Sequence, residues 1–296
     1  MYPSKDRIFA AIRHRPVNRV PKGELCIDDA VVKQELGCGS VGFEERLEFV
    51  DRLGLDIICL SPSYPDPRVI PEPGDIVWED LDRWVADTPF FSFAVIDGVF
   101  GWGVRTLGFK EFLTLPARSP LSLADLVKKV EALNVELSGR LAGRGIDGII
   151  IADDIAYNRG LLTGPKIMRE YFIPSLARQF EKIAGKGVSV FFHSDGNYNE
   201  IIPDLIRIGF QGLHCIDRNS GMDVFKLQQA YGEKLCLWGT LGSDDLARAA
   251  DPVYFNDLLE NIRLLNSRNG FILGTNSGLF KGIDLGRLIE IYKSVG

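Results

Sequence analysis

A run of polar residues, His193-Ser194-Asp195-Gly196-Asn197, directly follows the apolar segment Val188–Phe192. A histidine exchanges protons near neutral pH, a carboxylate accepts protons or binds a cation, and an amide orients a substrate through hydrogen bonds. The pair Asp153-Asp154 similarly follows the apolar segment Gly148–Ala152. Burying such groups without a task is costly, so the pattern predicts a reaction site. We expect His193, Asp195 and Asn197 to be catalytic.

The elements that must position these residues form a repeating pattern of short apolar runs separated by stretches of helical periodicity, which indicates a parallel sheet covered by helices. Several runs follow a glycine that ends the preceding helix, such as Gly187. No GxGxxG motif follows the first run, so an open dinucleotide-binding sheet is disfavoured. The pattern predicts a single (β/α)8 TIM barrel spanning residues 1–296. Its strands are Val20–Cys26, Asp56–Leu60, Phe93–Phe100, Gly148–Ala152, Val188–Phe192, Gln211–Ile216, Lys234–Gly239 and Gly270–Gly274.

In such a barrel, functional residues lie just beyond the carboxyl ends of the strands. We therefore expect further polar residues at these positions to contact the substrate. Two of the residues there also have plainer interpretations: His214 as an imidazole packed inside its strand, and Asp217 as a turn residue. The predicted substrate-binding residues are Glu24, Asp97, Asp153, Asp154, His214, Thr240, Asn276 and Ser277.

The composition argues against several classes of protein. The net charge of −6 disfavours broad binding to nucleic acid or anionic membranes. The five cysteines include no CxxC pair, which is typical of reduced thiols. Neither a signal peptide at residues 1–6 nor an apolar run of membrane-spanning length is evident, so we expect a soluble cytoplasmic protein.

The least regular region is Ser61–Trp84, which contains five prolines. We interpret it as an insertion that folds over the barrel mouth. Its aromatic residues Tyr64, Trp78 and Trp84 are candidates for a partner-binding surface, or they pack the insertion against the barrel.

The segment Phe191–Asn197, followed by Ile201–Gly209, resembles the His-Ser-x-Gly-Asn…Pro-Asp-Leu-Ile-x-x-Gly stretch of the uroporphyrinogen decarboxylase superfamily. The segments Lys5–Ile12, Pro16–Pro21 and Asn158–Leu162 fit the same superfamily in the same order. The resemblance covers nearly the whole chain and implies a TIM barrel. It also implies one of two chemistries.

True decarboxylases of this superfamily carry an Arg-Gln-Ala-Gly-Arg motif after the first strand, whose arginines hold the porphyrinogen carboxylates. This chain has Glu24-Leu25-Cys26-Ile27-Asp28 at that place. A polyanionic macrocycle would meet carboxylates in place of guanidinium groups, so decarboxylation is disfavoured but stays an alternative.

The second branch contains corrinoid-dependent methyltransferases similar to the methylcobalamin:coenzyme M enzymes, which bind zinc through His-x-Cys and a later cysteine. Here Asp195 and Ser277 stand at the cysteine positions, while His193 remains. We therefore expect no metal, although zinc held by His193, Asp195 and Glu24 is left open. Without a thiolate site, the resemblance favours tetrahydrofolate as the methyl acceptor, because its secondary amine is already nucleophilic.

In this interpretation His193 relays the proton, an aspartate pairs with the pterin edge, and Asn197 or Asn276 orients the amine. The chain lacks the Asp-x-His-x-x-Gly motif of corrinoid proteins, so methylcobalamin should arrive on a separate corrinoid protein. A zinc-dependent methylcobalamin:thiol methyltransferase and a barrel that only binds a ligand remain alternatives.

Overall fold

The computed structural model describes residues 4–296. Over these residues the chain forms a parallel sheet of seven strands, which neighbour one another in chain order. Each strand connects to the next through at least one helix, as expected for buried parallel strands. The strands are β1 (Ile57–Leu60), β2 (Phe91–Asp97), β3 (Gly148–Ala152), β4 (Ser189–His193), β5 (Gly212–Ile216), β6 (Cys236–Leu241) and β7 (Phe271–Thr275).

Seven of the eight predicted strands are confirmed, with small shifts at their ends. The largest correction concerns the predicted strand Phe93–Phe100, because β2 ends at Asp97 and a helix begins at Val99. Gly98 marks the turn: a Cβ there would lie 2.1 Å from Cγ of Asp153. The chain can turn here only because glycine leaves room for that carboxylate.

The predicted first strand, Val20–Cys26, is not a regular strand in the structure. Its backbone nevertheless hydrogen-bonds to both edges of the sheet: Leu273 N donates to Pro21 O at 2.8 Å, and Asp56 N donates to Lys22 O at 2.7 Å. Pro21 has no N–H to donate, and a Cβ on Gly23 would lie 2.7 Å from Ile57, so the segment stays irregular. The result is a curled parallel sheet of the TIM-barrel type with seven regular strands in the described residues.

The helices pack around this sheet. They are α1 (Ser4–Ile12), α2 (Asp29–Leu36), α3 (Phe43–Arg52), α4 (Leu81–Asp87), α5 (Val99–Leu107), α6 (Phe109–Arg118), α7 (Pro120–Gly143), α8 (Gly164–Ile167), α9 (Ile173–Ala184), α10 (Ile202–Ile208), α11 (Val224–Tyr231), α12 (Ser243–Arg248), α13 (Pro252–Ser267) and α14 (Leu285–Ser294). A π-helical turn, Met168–Phe172, joins α8 to α9. None of these helices has both the length and the apolar character needed to cross a membrane.

Helix α1 lies at the amino ends of the strands. Its Phe9 ring contacts Phe91, the first residue of β2, at a centroid distance of 5.0 Å. Arg7 pairs with Asp56, which immediately precedes β1. Because α1 occupies this end of the sheet, the carboxyl ends of the strands form the opposite end, which we call the mouth.

The predicted insertion after β1, Ser61–Trp84, is folded against the barrel, and we call it the proline-rich segment. It contains a two-stranded antiparallel ribbon, Pro62–Ser63 with Val77–Trp78, and helix α4 begins at Leu81 before the predicted end of the insertion. The Trp78 indole N–H donates to the Val95 carbonyl at 3.1 Å, and Trp84 is fully buried. These two tryptophans therefore pack the segment down and are not exposed to a partner.

The predicted one-domain organisation begins with residues 1–3, which lie outside the described residues. The five cysteines are all free thiols, in agreement with the expectation of a disulfide-free chain.

Candidate active site

Three of the predicted residues converge at the mouth, where β3 and β4 end side by side. Ala152 pairs with His193 in the sheet, so the residues that follow each strand emerge next to one another. His193 Nε2 lies 3.7 Å from Asp154 Oδ1, and the backbone N–H of Asp195 donates to the same oxygen at 3.0 Å. One ligating atom from each of Asp154, His193 and Asp195 lies within 4.8 Å of the others. We call these three residues the mouth triad.

The mouth triad combines an imidazole that is largely buried with carboxylates that reach solvent. His193 is 9% exposed, whereas the side chain of Asp154 is 65% exposed. Burial lowers the pKa of His193, while the Asp154 carboxylate acts in the opposite direction. Burial raises the pKa of Asp195, and His193 opposes that shift. A neutral imidazole beside carboxylates can accept a proton or bind a cation.

His214 lies beneath the triad and does not reach the mouth. It pairs with His193 across β4 and β5, is fully buried, and packs against the Trp238 ring at 4.9 Å. Its Nδ1 lies 2.8 Å from Nδ1 of His193. This burial agrees with the plainer interpretation of His214 as a packed strand residue, and its contact with a substrate stays a prediction.

Asn197 follows the triad on the same loop. Its side-chain amide oxygen accepts a hydrogen bond from Asn199 Nδ2 at 2.9 Å, and its backbone N–H donates to the Tyr157 carbonyl at 2.8 Å. A Cβ on Gly221 would lie 2.7 Å from Asn197 Nδ2. These contacts order the loop around Asp195, and a catalytic role for Asn197 stays a prediction.

Asp153 is adjacent in sequence to the triad but faces a different environment. It is 5% exposed, and its carboxylate accepts a hydrogen bond at 3.0 Å from the backbone N–H of Gly101, in the first turn of α5. Burial raises the pKa of Asp153 to about 8, against the hydrogen bonds from the backbone. The side chain ties β3 to the start of α5 and lies behind the mouth.

Asp97, at the end of β2, fastens the proline-rich segment. Its carboxylate accepts a hydrogen bond from the Tyr64 hydroxyl and lies 2.7 Å from Arg105 Nη2. The Arg105 guanidinium also lies over the Trp102 ring, 4.5 Å from its centroid. Arg105 could not be singled out from the sequence, because a single arginine near the end of a helix is typical of any surface helix.

Glu24 is separated from the triad. It is 1% exposed and accepts hydrogen bonds from the Thr275 hydroxyl at 2.5 Å and from the Tyr292 hydroxyl. Burial raises the pKa of Glu24 to about 7, against these hydrogen bonds. It lines a cavity of about 290 Å³ that also contains Cys26 and Cys59. The expectation that Glu24 could share a cation with His193 is not supported by this arrangement.

The remaining predicted residues lie around β6 and β7. Asn276 Nδ2 donates to Asp217 Oδ1 at 2.9 Å, and the Cys215 thiol donates to the Asn276 carbonyl at 2.6 Å. Ser277 lines a separate small cavity of about 200 Å³. Thr240 has a φ of +97° and lines another cavity of about 220 Å³ between the helices. Neither of these cavities is lined by a residue of the mouth triad.

A zinc site with thiolate ligands does not fit the residues present. Ser277 and Asp195 stand where the resemblance places cysteines, and the Cys215 thiol is engaged with the Asn276 carbonyl. Burial and the nearby carboxylates of Asp195 and Asp217 raise the pKa of Cys215, which disfavours its thiolate. The mouth triad instead offers one nitrogen and carboxylate oxygens, a donor set suited to a harder divalent cation.

A family model described as uroporphyrinogen decarboxylase (URO-D) matches residues 102–295, which include the whole mouth triad. The chain belongs to the uroporphyrinogen decarboxylase family. No curated protein matches its sequence.

Solved structures that resemble the chain over nearly its whole length include the following two. A methyltransferase from Methanosarcina mazei superposes with a TM-score of 0.74 at 15% identity, covering 99% of this chain and 98% of its own. A Listeria monocytogenes protein, described as a candidate vitamin-B12 independent methionine synthase, superposes with a TM-score of 0.53 at 10% identity, covering 96% and 95%. At these identities the likeness shows a shared fold.

Proposed function

We propose that the protein transfers a methyl group from methylcobalamin, carried by a separate corrinoid protein, to tetrahydrofolate. The observation that carries the proposal is the mouth triad, which brings together a neutral imidazole and two carboxylates with no thiol among them. One structural neighbour that covers nearly the whole chain is described as a methyltransferase, which supports the same class of reaction.

The residues present suit an amine acceptor. The nitrogen lone pair of the pterin forms the new N–CH3 bond while the cobalt–carbon bond breaks and leaves its electron pair on cobalt. The proton of the amine must then go to a base, and His193 Nε2 is the nitrogen that faces the mouth. Holding the amine beside that nitrogen supplies most of what the protein must contribute, because the reaction needs orientation more than activation.

The carboxylates of Asp154 and Asp195 are the candidates for recognising the pterin ring. Its amidine-like edge carries two donors, which a carboxylate can accept together. Both side chains are exposed at the mouth, whereas Asp153 is buried behind it. We therefore assign the pterin edge to Asp154 or Asp195 and leave Asp153 a structural role.

The corrinoid protein would approach the mouth from outside, in the cytoplasm. The proline-rich segment borders the mouth because the Tyr64 hydroxyl donates a hydrogen bond to Asp97 at the end of β2. Residues at its exposed edge, such as Val69 at 58% exposure, are better candidates for partner contact than the buried Trp78 and Trp84.

A second candidate function is favoured by the same triad. Three ligating atoms within 4.8 Å of one another can hold a divalent cation with open coordination positions, as catalytic metal sites do. A zinc ion held there would activate a thiol acceptor by stabilising its thiolate. This alternative predicts that activity depends on metal and on a thiol.

The two functions are separated by one set of assays. The purified chain is mixed with methylcobalamin and either tetrahydrofolate or a simple thiol, each with added zinc or with a chelator, and cob(I)alamin formation is followed by absorbance. We expect cob(I)alamin to form with tetrahydrofolate, and we expect the chelator to leave the amount formed unchanged. Formation only with thiol and zinc would replace the proposal by the second candidate, and carboxylate loss from uroporphyrinogen would revive the decarboxylase.

The variant Asp195→Asn tests the site itself. We expect it to lower turnover with tetrahydrofolate more than tenfold, because the carboxylate contacts the pterin or its proton. The matched control is Asp257→Asn, since Asp257 is an exposed aspartate in α13. Equal turnover in the two variants would remove Asp195 from the site.

A further inference from the structure

A cleft of about 220 Å³ lies between α11 and α13, and we call it the α11–α13 cleft. Arg218 lines it two residues after β5 ends, and Thr240 lines it from the carboxyl end of β6. Both residues therefore stand at the mouth end of the sheet. Because β5 pairs directly with β4, the cleft begins one strand away from the strand that carries His193.

The walls of the α11–α13 cleft are apolar. Val224 and Phe225 line it from α11, and Leu258 and Ile262 line it from α13. For comparison, an apolar cavity of about 150 Å³ is large enough to bind benzene. The cleft thus has room for a six-membered ring, and a ring placed between the helices would leave water for an apolar surface.

Two arginines give the cleft a cationic edge. Arg248 Cζ lies over the Tyr254 ring, 4.0 Å from its centroid. Burial raises the pKa of Tyr254 to about 12, together with the Asp245 carboxylate, whereas the charges of Arg248 and Arg218 oppose that rise. Neither guanidinium forms a hydrogen bond or an ion pair within residues 4–296. Both therefore keep their donors for a carboxylate brought by a ligand.

The acidic residues of the cleft leave these donors unoccupied. Asp245 accepts hydrogen bonds from the Tyr254 hydroxyl and, at 2.9 Å, from the backbone N–H of Gly242. Asp257 is exposed at the rim, where water and salt screen its charge. The Thr240 hydroxyl has no hydrogen-bond partner in the described part of the chain. The cleft therefore combines free donors with an apolar wall, which suits an aromatic ring that bears carboxylates.

We propose that the α11–α13 cleft binds the 4-aminobenzoyl-glutamate tail of tetrahydrofolate, with the ring between the helices and the carboxylates at Arg218 and Arg248. Naming this tail rests on the proposed function, whereas a site for an aromatic carboxylate follows from the cleft alone. The mouth triad contains two carboxyl groups, Asp154 and Asp195, and is an unfavourable place for the glutamate. The tail extends away from the triad while the pterin stays there, so the two arginines determine specificity and take no part in the chemistry.

Binding of the tail can be measured without methyl transfer, by isothermal titration calorimetry with 4-aminobenzoyl-glutamate. We expect saturable binding that Arg218→Gln and Arg248→Gln each weaken about tenfold, because each removes a charge-assisted pair. The uncharged diamide of the same compound should bind the wild type about tenfold more weakly for the same reason. The matched control is Arg159→Gln, since Arg159 is an exposed arginine without an ion pair in residues 4–296, in the turn between Tyr157 and Gly160. It should bind the compound as the wild type does.

Kinetics of methyl transfer test whether the tail of the substrate occupies the cleft. Arg248→Gln should raise KM for tetrahydrofolate about tenfold with kcat unchanged, as expected for a group that binds ground state and transition state equally. With 6-methyltetrahydropterin, which has no tail, the wild type and Arg248→Gln should have the same KM.

Absence of saturable binding of 4-aminobenzoyl-glutamate would overturn the carboxylate site, and so would equal binding by the two cleft variants and Arg159→Gln. Benzoate binding as tightly as 4-aminobenzoyl-glutamate would replace the tail by a small free acid. Methylation of tetrahydrofolate with KM unchanged in Arg248→Gln would show that the tail lies elsewhere. If 4-aminobenzoyl-glutamate binds but tetrahydrofolate accepts no methyl group, the proposed function fails and the carboxylate site stands.

Discussion

The hydroxyl of Tyr64 donates a hydrogen bond to the carboxylate of Asp97, joining the proline-rich segment to the end of β2. Arg105 reaches the same carboxylate and lies 5.3 Å from the centroid of the Tyr64 ring. The Tyr64 ring also contacts Trp102 edge-on at 4.8 Å. Tyr64 therefore connects the proline-rich segment to both β2 and α5.

Tyr64→Phe should loosen the segment without disturbing the sheet. The ring contacts remain, but one hydrogen bond to a carboxylate is lost, worth about 1.5–3 kcal/mol of unfolding free energy. We expect faster proteolysis between residues 61 and 80, measured by mass spectrometry of the fragments. Tyr157→Phe is the control, because Tyr157 is 49% exposed. Equal cleavage rates in both variants would show that the hydroxyl does not hold the segment.

Gly98→Ala should disrupt the turn between β2 and α5. The new Cβ would lie 2.1 Å from Cγ of Asp153, so the carboxylate must move off the start of α5. We expect a loss of about 1–3 kcal/mol in unfolding free energy, measured by denaturant titration. Gly143→Ala, with no atom within 4 Å of its new Cβ, should be neutral or slightly stabilising. A neutral Gly98→Ala would mean that Asp153 relocates freely.

Most of the sheet could be predicted because each buried parallel strand is a continuous apolar run, as in Gly148–Ala152 and Ser189–His193. The first segment could not be predicted correctly from hydropathy. Its backbone is set by Pro21, which has no donor, and by the close approach of Gly23 to Ile57, and neither effect depends on side-chain polarity.

For the candidate active site, the sequence predicts which positions carry polar residues but not which of their side chains contact one another. The sequence shows that polar residues follow β3 and β4, but strand register decides which side chains meet. His214 lies opposite His193 in that register and is buried. The pairing of β5 with β6 shifts register between Leu237 and Gly239, an irregularity that breaks the simple alternation of faces just before Thr240. No periodicity argument could place Thr240 reliably.

Asp56→Asn should be strongly destabilising. Asp56 is fully buried, pairs with Arg7, and lies 2.7 Å from Arg19 Nη2. Removing the charge leaves the buried guanidinium of Arg7 without this carboxylate, at a cost of about 3–5 kcal/mol in unfolding free energy. The control is Asp82→Asn, because the pair of Asp82 with Arg144 is exposed to solvent and its loss should have little effect on stability. Similar losses in both variants would argue that the Asp56 network is not stabilised by its burial.

Glu24→Gln should change how stability depends on pH. Burial raises the pKa of Glu24 to about 7 in the folded chain, from its ordinary value of 4.5, so the folded state binds the proton more tightly than the unfolded state. The stabilisation is complete below pH 4.5 and is lost as pH rises through 7. At 1.36 kcal/mol per pKa unit, the wild type should lose about 2–3 kcal/mol relative to Glu24→Gln between pH 5 and pH 8. Urea unfolding at several pH values measures this difference, with the exposed Glu260→Gln as the control. Parallel curves for the wild type and Glu24→Gln would show that Glu24 is ionised throughout this range, stabilised by Thr275 and Tyr292 more strongly than burial opposes it.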